Sequence, residues 1–318
     1  MGVIMLNFYK TIDQDMVTLE KPEPGCWISA IAPTPEEISY LVNEIGINSD
    51  FVKASLDEEE SPHIDKDDNQ TLIVVDYPSQ EEEDLSNESD TLQYMTLPMG
   101  IVFIENYFVT ISLYDNSTLS DFRKGMVKGA MTHYRTRFLL IMLLRISQRF
   151  LVYLKRIDRL SSRTERKLHQ SMRNKELIQL LGIEKSLVYF STSLKTDEVI
   201  INKIMRGNVI KIYEDDEDIL EDVQIEFKQA IEMCNIYSNI LSGTMDAFAS
   251  VISNNLNIVM KVLTSLTIVM TIPNIVFGFY GMNVAGLPFA AYWWAPIVVA
   301  GLFCLISFWI LVKKDMFH

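Results

Sequence analysis

The side chains best placed for chemistry in this sequence carry neutral oxygens, and they recur at helical spacing near the C-terminus. Alternating steps of four and three residues from Ser253 meet Asn257, Met260, Thr264, Thr267, Thr271, Asn274, Gly278 and Gly281. All but Met260 are small or polar, and the residues between are mostly Val, Ile, Leu, Met and Phe. Such spacing gathers them on one helix face. The stripe runs into Gly281-Met282-Asn283. Amide and hydroxyl groups hydrogen-bond to water, so one reading of the stripe is the lining of a water-filled pore. Two plainer readings stand beside this one. Small residues also let membrane helices pack closely, and glycine with asparagine commonly ends a helix.

The elements that must position this stripe follow from charge and hydropathy. No Asp, Glu, Lys or Arg occurs from Val262 to Val312, although the whole chain of 318 residues has a net charge of −14. Two spans fit that run, about 262–279 and 292–312, each near the length a bilayer demands. Tyr292, Trp293 and Trp294 stand as an interfacial aromatic belt. Lys261 precedes the first span, and Lys313 and Lys314 follow the second, so the excess of positive charge puts both termini in the cytoplasm. Asn274 is costly against lipid tails, so its face should meet other helices or water. No proline occurs from Val209 to Ile272. One helix of about 55 to 60 residues, roughly 80 to 90 Å, can therefore run from the cytoplasm into the membrane.

Upstream, the pattern predicts an α/β domain over 1–124. Strands are expected at Trp27–Ile31, at Thr71–Tyr77 (ended by Pro78), at Tyr94–Pro98, at Gly100–Ile104 and at Phe108–Leu113. Thr34 and Pro35 open a helix running to about Glu44, and Ser79 to Asp90 reads as a solvated hairpin loop. Helical periodicity covers Phe138–Leu160 and Lys175 to about Met205, with a weak interruption at Gly182, within a helical region 125–212. The stalk helix then spans 213–281, an external loop 282–291, and a basic tail 313–318. The fold expected is an α+β cytoplasmic domain, with an α/β/α sheet layer and long helices, followed by a very long stalk helix and a two-helix transmembrane hairpin. Met1 to Phe8 lacks a basic region followed by an apolar core, so the bulk of the chain is expected in the cytoplasm. Cys26, Cys234 and Cys304 are too scattered for a disulfide framework or a thiolate metal site. The acidic balance argues against nucleic acid as a partner.

Tyr280-Gly281-Met282-Asn283 at the end of a first span, with a second span close behind, resembles the signature of the CorA family of magnesium and divalent-cation transporters. The likeness extends over Asn254 to Thr264, Lys185 to Leu194, Gln229 to Tyr237 and Ser55 to Pro62. It implies a homopentamer in the cell (inner) membrane that admits Mg²⁺, with Co²⁺ and Ni²⁺ as further ions and a zinc-transporting branch as the alternative. It makes Gly281, Met282 and Asn283 the selectivity filter. It puts Asn257, Thr264, Thr271 and Asn274 along the pore, where the helical stripe adds Thr267 and Gly278, with Met260 and Leu263 as an apolar constriction that gates by dewetting. Lys261, Lys313 and Lys314 become a basic collar. One departure is plain: the loop from Val284 to Ala291 holds no carboxylate, where many family members have acids.

A second cluster, Glu214-Asp215-Asp216-Glu217-Asp218 with Glu221 and Asp222, opens the long helix. Acids suit a helix N-terminus, where the macrodipole is positive, but seven exceed what capping needs. The resemblance makes Asp222, with Glu221 and Asp246, candidates for a regulatory Mg²⁺ site between subunits. A metal-dependent hydrolase anchored to a membrane is the enzyme alternative. It lacks a glycine-rich phosphate loop, a nucleophile motif and a histidine partner, so the expectation is that the chain is not an enzyme.

Overall fold

The computed structural model describes residues 6–80, 94–171, 174–207, 209–283, 287–289, 292–314 and 316. Of the expected hairpin loop of Ser79 to Asp90, Ser79 and Gln80 belong instead to a strand paired with the next one, and 81–90 lie outside the described residues, as does half of the external loop. The chain forms two compact units, Met1–Ser242 and Gly243–His318.

The first unit is built on a seven-stranded sheet of order β2-β1-β3-β7-β6-β5-β4. Its strands are β1 (Leu6–Ile12), β2 (Asp15–Leu19), β3 (Trp27–Ile31), β4 (Ile64–Asp67), β5 (Gln70–Gln80), β6 (Tyr94–Ile104) and β7 (Tyr107–Ser112). Only β3 and β7 pair in parallel. Period-2 alternation sends Ile28, Ala30, Leu72, Val74 and Val102 to one face. There they pack on Leu41 of α1 (Pro35–Asn43) and on Phe51 and Val52 of α2 (Ser49–Ser55). Thr34 and Glu37 close a capping box at the start of α1, with Pro35 in its first turn. On the opposite face, Trp27 and Phe108 meet Phe122 of α3 (Ser117–Arg123) and Phe138 of α4 (Arg135–Ser171).

Several boundaries differ from those expected. Pro78 does not end β5, and Pro98 does not divide β6. The register pairs Asp76 with Pro98 and Pro78 with Thr96. The Asp76 N–H turns away from β6, donating to Asp197 Oδ1 at 3.0 Å. Asp76 and Pro98 are therefore a non-hydrogen-bonded pair, and Pro78, two residues on, shares that parity. Both prolines place their missing donor on the outer side of the ribbon, where nothing is lost. Nor does Gly182 interrupt α5, which runs unbroken over Asn174–Met205. Helix α4 extends beyond its expected ends.

Helix α5 satisfies the ribbon where β4 and β7 stop short of it. Ser186 Oγ accepts from the Tyr94 N–H at 2.9 Å and donates to the Gly182 carbonyl at 3.0 Å. Ser193 Oγ and Thr96 Oγ1 share a hydrogen bond at 2.7 Å. Asp197 is fully buried with Oδ2 unpartnered. Burial, and then the charge of Asp76, holds its carboxyl well above the usual range. Burial also raises Asp76 to about 6, against a smaller opposing effect of the Ser193 hydrogen bond. A carboxyl whose pKa is raised on folding binds its proton more tightly when folded. Its stabilising effect is complete below the unfolded pKa and is lost as pH rises through the folded one. For Asp76 the window runs from 3.8 to about 6, which is worth roughly 3 kcal/mol at 1.36 kcal/mol per unit. Asp76→Asn is therefore expected to raise the thermal unfolding midpoint at pH 7.5 and leave it unchanged near pH 4. A shift of equal size at both pH values would refute this assignment.

In the second unit lie the C-terminal part of α6 (Glu217–Tyr280) and all of α7 (Ala295–Lys313). Helix α6 is continuous for 64 residues and contains Pro273. A single-turn 3₁₀ helix, Glu214–Asp216, precedes it. Helix α7 has 19 residues, about 28 Å of rise, which matches the hydrocarbon core. Both are long and apolar enough to cross a membrane.

Candidate ion path on the first span

The membrane end of α6 has two faces with different fates. Ser265 and Val276 are buried, and Ile258, Val269, Ile272, Pro273 and Tyr280 are half-buried. At about 100° per residue these seven fall within an arc of roughly 100°. Two contacts show what covers this side. Ser265 Oγ donates to the Met316 carbonyl at 3.4 Å, and Cys304 Sγ of α7 lies 3.7 Å from the Val269 carbonyl. One side of the first span is thus sealed by the second span and the tail that follows it.

Asn257, Met260, Leu263, Thr264, Thr267, Thr271, Asn274, Gly278 and Gly281 are all exposed. On the same wheel they occupy roughly 120°, centred opposite the sealed side. Polar groups in a membrane segment must meet protein or water. The second span does not meet these.

Two of the threonines on this face, Thr267 and Thr271, are committed donors. Thr267 Oγ1 donates to the Leu263 carbonyl at 2.8 Å, and Thr271 Oγ1 to the Thr267 carbonyl at 2.7 Å. A hydroxyl whose proton is held by the carbonyl one turn back shows only lone pairs outward. Toward the open side these positions are acceptors, as the waters around a cation require.

At the top, α6 ends at Tyr280. The Gly281 N–H donates to the Phe277 carbonyl at 2.9 Å, and the Met282 N–H to the Phe279 carbonyl at 3.4 Å. A Cβ on Gly281 would stand 3.1 Å from the Phe277 carbonyl oxygen, so this turn is wound tightly enough to favour glycine. Gly281, Met282 and Asn283 are exposed. A helix C-terminus carries about half a negative charge on its unpaired carbonyls. That partial charge lies beside Gly281-Met282-Asn283, in a sequence stretch without carboxylates.

At the other end of the hairpin, Lys261, Lys313 and Lys314 are exposed. Lys313 Nζ sits 5.2 Å from the Trp309 ring centroid, a cation–π contact that lays its stem along apolar surface.

The acidic cluster divides on inspection. Asp216 is buried and takes a 2.7 Å ion pair from Arg137 Nε, while Arg137 Nη2 donates to the Asp215 carbonyl at 2.7 Å. Asp216 therefore anchors the start of the helix to α4. Glu214, Asp215, Glu217, Asp218, Glu221 and Asp222 are exposed, and Asp246 is exposed further along α6. Among the described residues, no three His, Cys, Asp or Glu side chains of one chain converge as a metal site. Burial raises the Cys26 thiol, and raises Cys234 to about 11, so both stay protonated and unsuited to bind metal.

Sequence reasoning missed Ser265 and Cys304. The signal was present for Ser265, a hydroxyl one residue off the polar stripe and thus on the opposite side. For Cys304 nothing in the sequence points to a neighbour.

Residues 23–314 match the family model described as CorA-like Mg2+ transporter protein. The chain belongs to this CorA family. It is 28% identical over 268 residues to the cobalt/magnesium transport protein CorA of Methanocaldococcus jannaschii, covering 83% of this chain and 81% of that one. The complete structure of the CorA magnesium transporter from that organism superposes with a TM-score of 0.80 at 23% identity, covering 99% of this chain and 98% of that chain. The full-length CmaX protein has the same fold, with a TM-score of 0.72 at 16% identity over 98% of both chains. The α+β domain with long helices and two C-terminal apolar helices is thus the CorA fold. Membership makes the chain a multi-pass membrane protein of a family that transports Mg²⁺, and sets the hydrolase alternative aside.

Proposed function

We propose that five copies of this chain assemble around the exposed polar face of α6 and admit Mg²⁺ across the cell membrane, with Co²⁺ and Ni²⁺ as further substrates. The observation that carries this reading is the two-sided first span: one side is closed by α7, and the other is a file of acceptor oxygens left open in a single copy. Copies that share that open side enclose a polar path and leave their second spans outward, toward lipid. Gly281, Met282 and Asn283 form the outer filter, which accepts hydrogen bonds from the waters of the ion without stripping them. Met260, 52% exposed, and Leu263, 56% exposed, form an apolar ring near the inner end that closes by dewetting. Thioether sulfur is a poor ligand for Mg²⁺, so a gate suits Met260 better than a binding site.

The lysines Lys261, Lys313 and Lys314 put both termini in the cytoplasm, where excess positive charge near a span is retained. The membrane potential then drives entry at about 2.3 kcal/mol per charge per 100 mV, twice over for a divalent ion. Internal Mg²⁺ bridges Asp222, with Glu221 and Asp246, to acids of neighbouring copies and holds the pore shut. As internal Mg²⁺ falls, the unscreened carboxylates repel, the assembly loosens and ions enter.

The experiment is potential-driven uptake into liposomes, with Mg²⁺, Co²⁺, Ni²⁺ and Zn²⁺ measured side by side. The expected order places Mg²⁺ first at physiological concentrations. Uptake of Zn²⁺ with no uptake of Mg²⁺ would move the chain to the zinc-transporting alternative, and no uptake of any of the four would end the channel reading.

A further inference from the structure

Pro273 sits inside α6, in the middle of the first span. Proline has no N–H, so the carbonyl four residues earlier loses its helical partner, and the ring pushes that carbonyl outward. Four residues before Pro273 is Val269. An open carbonyl within the hydrocarbon core costs several kcal/mol unless another group donates to it. The Val269 carbonyl is the one that α7 approaches with a donor: Cys304 Sγ lies 3.7 Å from the Val269 oxygen, within range for a sulfur donor. The thiol is half-buried and Val269 lies on the sealed side of α6. The coincidence is specific, because any other backbone carbonyl in this stretch has an N–H four residues on.

We propose that the Cys304 thiol is the hydrogen-bond donor through which the second span satisfies the carbonyl freed by Pro273, and that it thereby holds the first span in place at Pro273. Cys304 is a positioning residue. The segment it holds, from Pro273 upward, carries Asn274, Gly278 and the Gly281-Met282-Asn283 turn. Without that hold, these oxygens would wander relative to those of neighbouring copies. Part of this stands without the channel reading, since the hydrogen bond exists or does not whatever passes through the protein. The consequence for ion flux rests on that reading.

A double-mutant cycle on the full-length protein tests the hydrogen bond. Cys304→Ala is made in the native chain and in a Pro273→Ala chain, where the restored N–H at position 273 takes the Val269 carbonyl back. The cavity left by the lost sulfur is the same in both, so only the hydrogen bond differs. The expected result is a drop of about 2 °C in unfolding midpoint in the native background and a smaller or absent drop in Pro273→Ala. Equal drops in both backgrounds, or none in either, would overturn the proposal. The S–H infrared stretch gives a second readout, taken as the difference between each background and its Cys304→Ala variant. The Cys304 band should stand at the hydrogen-bonded position in the native chain and move to the free position in Pro273→Ala; a band at the free position in the native chain overturns it. Mg²⁺ uptake should fall several-fold in Cys304→Ala alone. If the native protein passes no ion at all, the channel reading fails while the cycle and the infrared band still decide the proposal.

Discussion

Asn283→Ala should lower Mg²⁺ flux by at least about a hundredfold while leaving assembly intact. Asn283 is exposed at the end of α6, beyond the last helical turn, so its side chain does not support the fold of its own chain. In the proposed pentamer five amides face one ion. Losing even ~0.6 kcal/mol from each, the low end for a hydrogen bond, removes about 3 kcal/mol in all. That is about two powers of ten in rate. The uncharged loop sharpens the expectation, because no carboxylate stands by to capture the ion instead. Uptake in liposomes, with oligomer size measured on the same preparation, checks it. Native-like flux in Asn283→Ala would remove the filter role from this turn.

Asp222→Ala should desensitise the protein to internal Mg²⁺. Asp222 is exposed in the second turn of α6, whereas Asp216 is spent on Arg137. Of the two, only Asp222 is free in geometry to meet an ion held between copies. A charge-assisted contact is worth roughly 1.5–3 kcal/mol, so its loss should raise the internal Mg²⁺ needed for half-inhibition about tenfold or more. The measurement is uptake at fixed potential and fixed external Mg²⁺ into liposomes loaded with graded internal Mg²⁺. Asp216→Ala serves as contrast, since it should lower stability rather than shift this curve. An unmoved inhibition curve for Asp222→Ala would remove that residue from regulation.

The membrane half was the more legible part of this chain. Charge exclusion, aromatic belt and lysine flanks are one-dimensional signals, and the bilayer enforces them residue by residue. The two helices long and apolar enough to cross a membrane cover the stretches that hydropathy marks, although α7 starts at Ala295 rather than at Tyr292. The soluble half was read less well, for identifiable reasons. The β1–β2 hairpin turns at Asp13 and Gln14, both with positive φ (49° and 74°). That geometry usually calls for Asn-Gly or Asp-Gly, and without the glycine there was no turn signal. Pro78 and Pro98 looked like strand ends because a proline's cost depends on which side its nitrogen faces, and register alone decides that. Asp76 and Asp197 lie 121 residues apart in sequence, so nothing local could reveal that the second caps the first. The polar stripe was visible as a period, but its relation to α7 was not. Whether a small polar face serves packing or a path depends on what covers it, and periodicity carries no information about neighbours.

The account stands most directly on the claim that the open face of α6 borders a water-filled ion path. Thr271→Cys places a thiol on that face and Val276→Cys places one on the sealed side, with the native protein as the blank. A small cationic thiol reagent applied from outside should block Mg²⁺ flux through Thr271→Cys, more slowly when Mg²⁺ is saturating, and should leave Val276→Cys and the native protein conducting. Unaltered flux through Thr271→Cys together with block of Val276→Cys would contradict it.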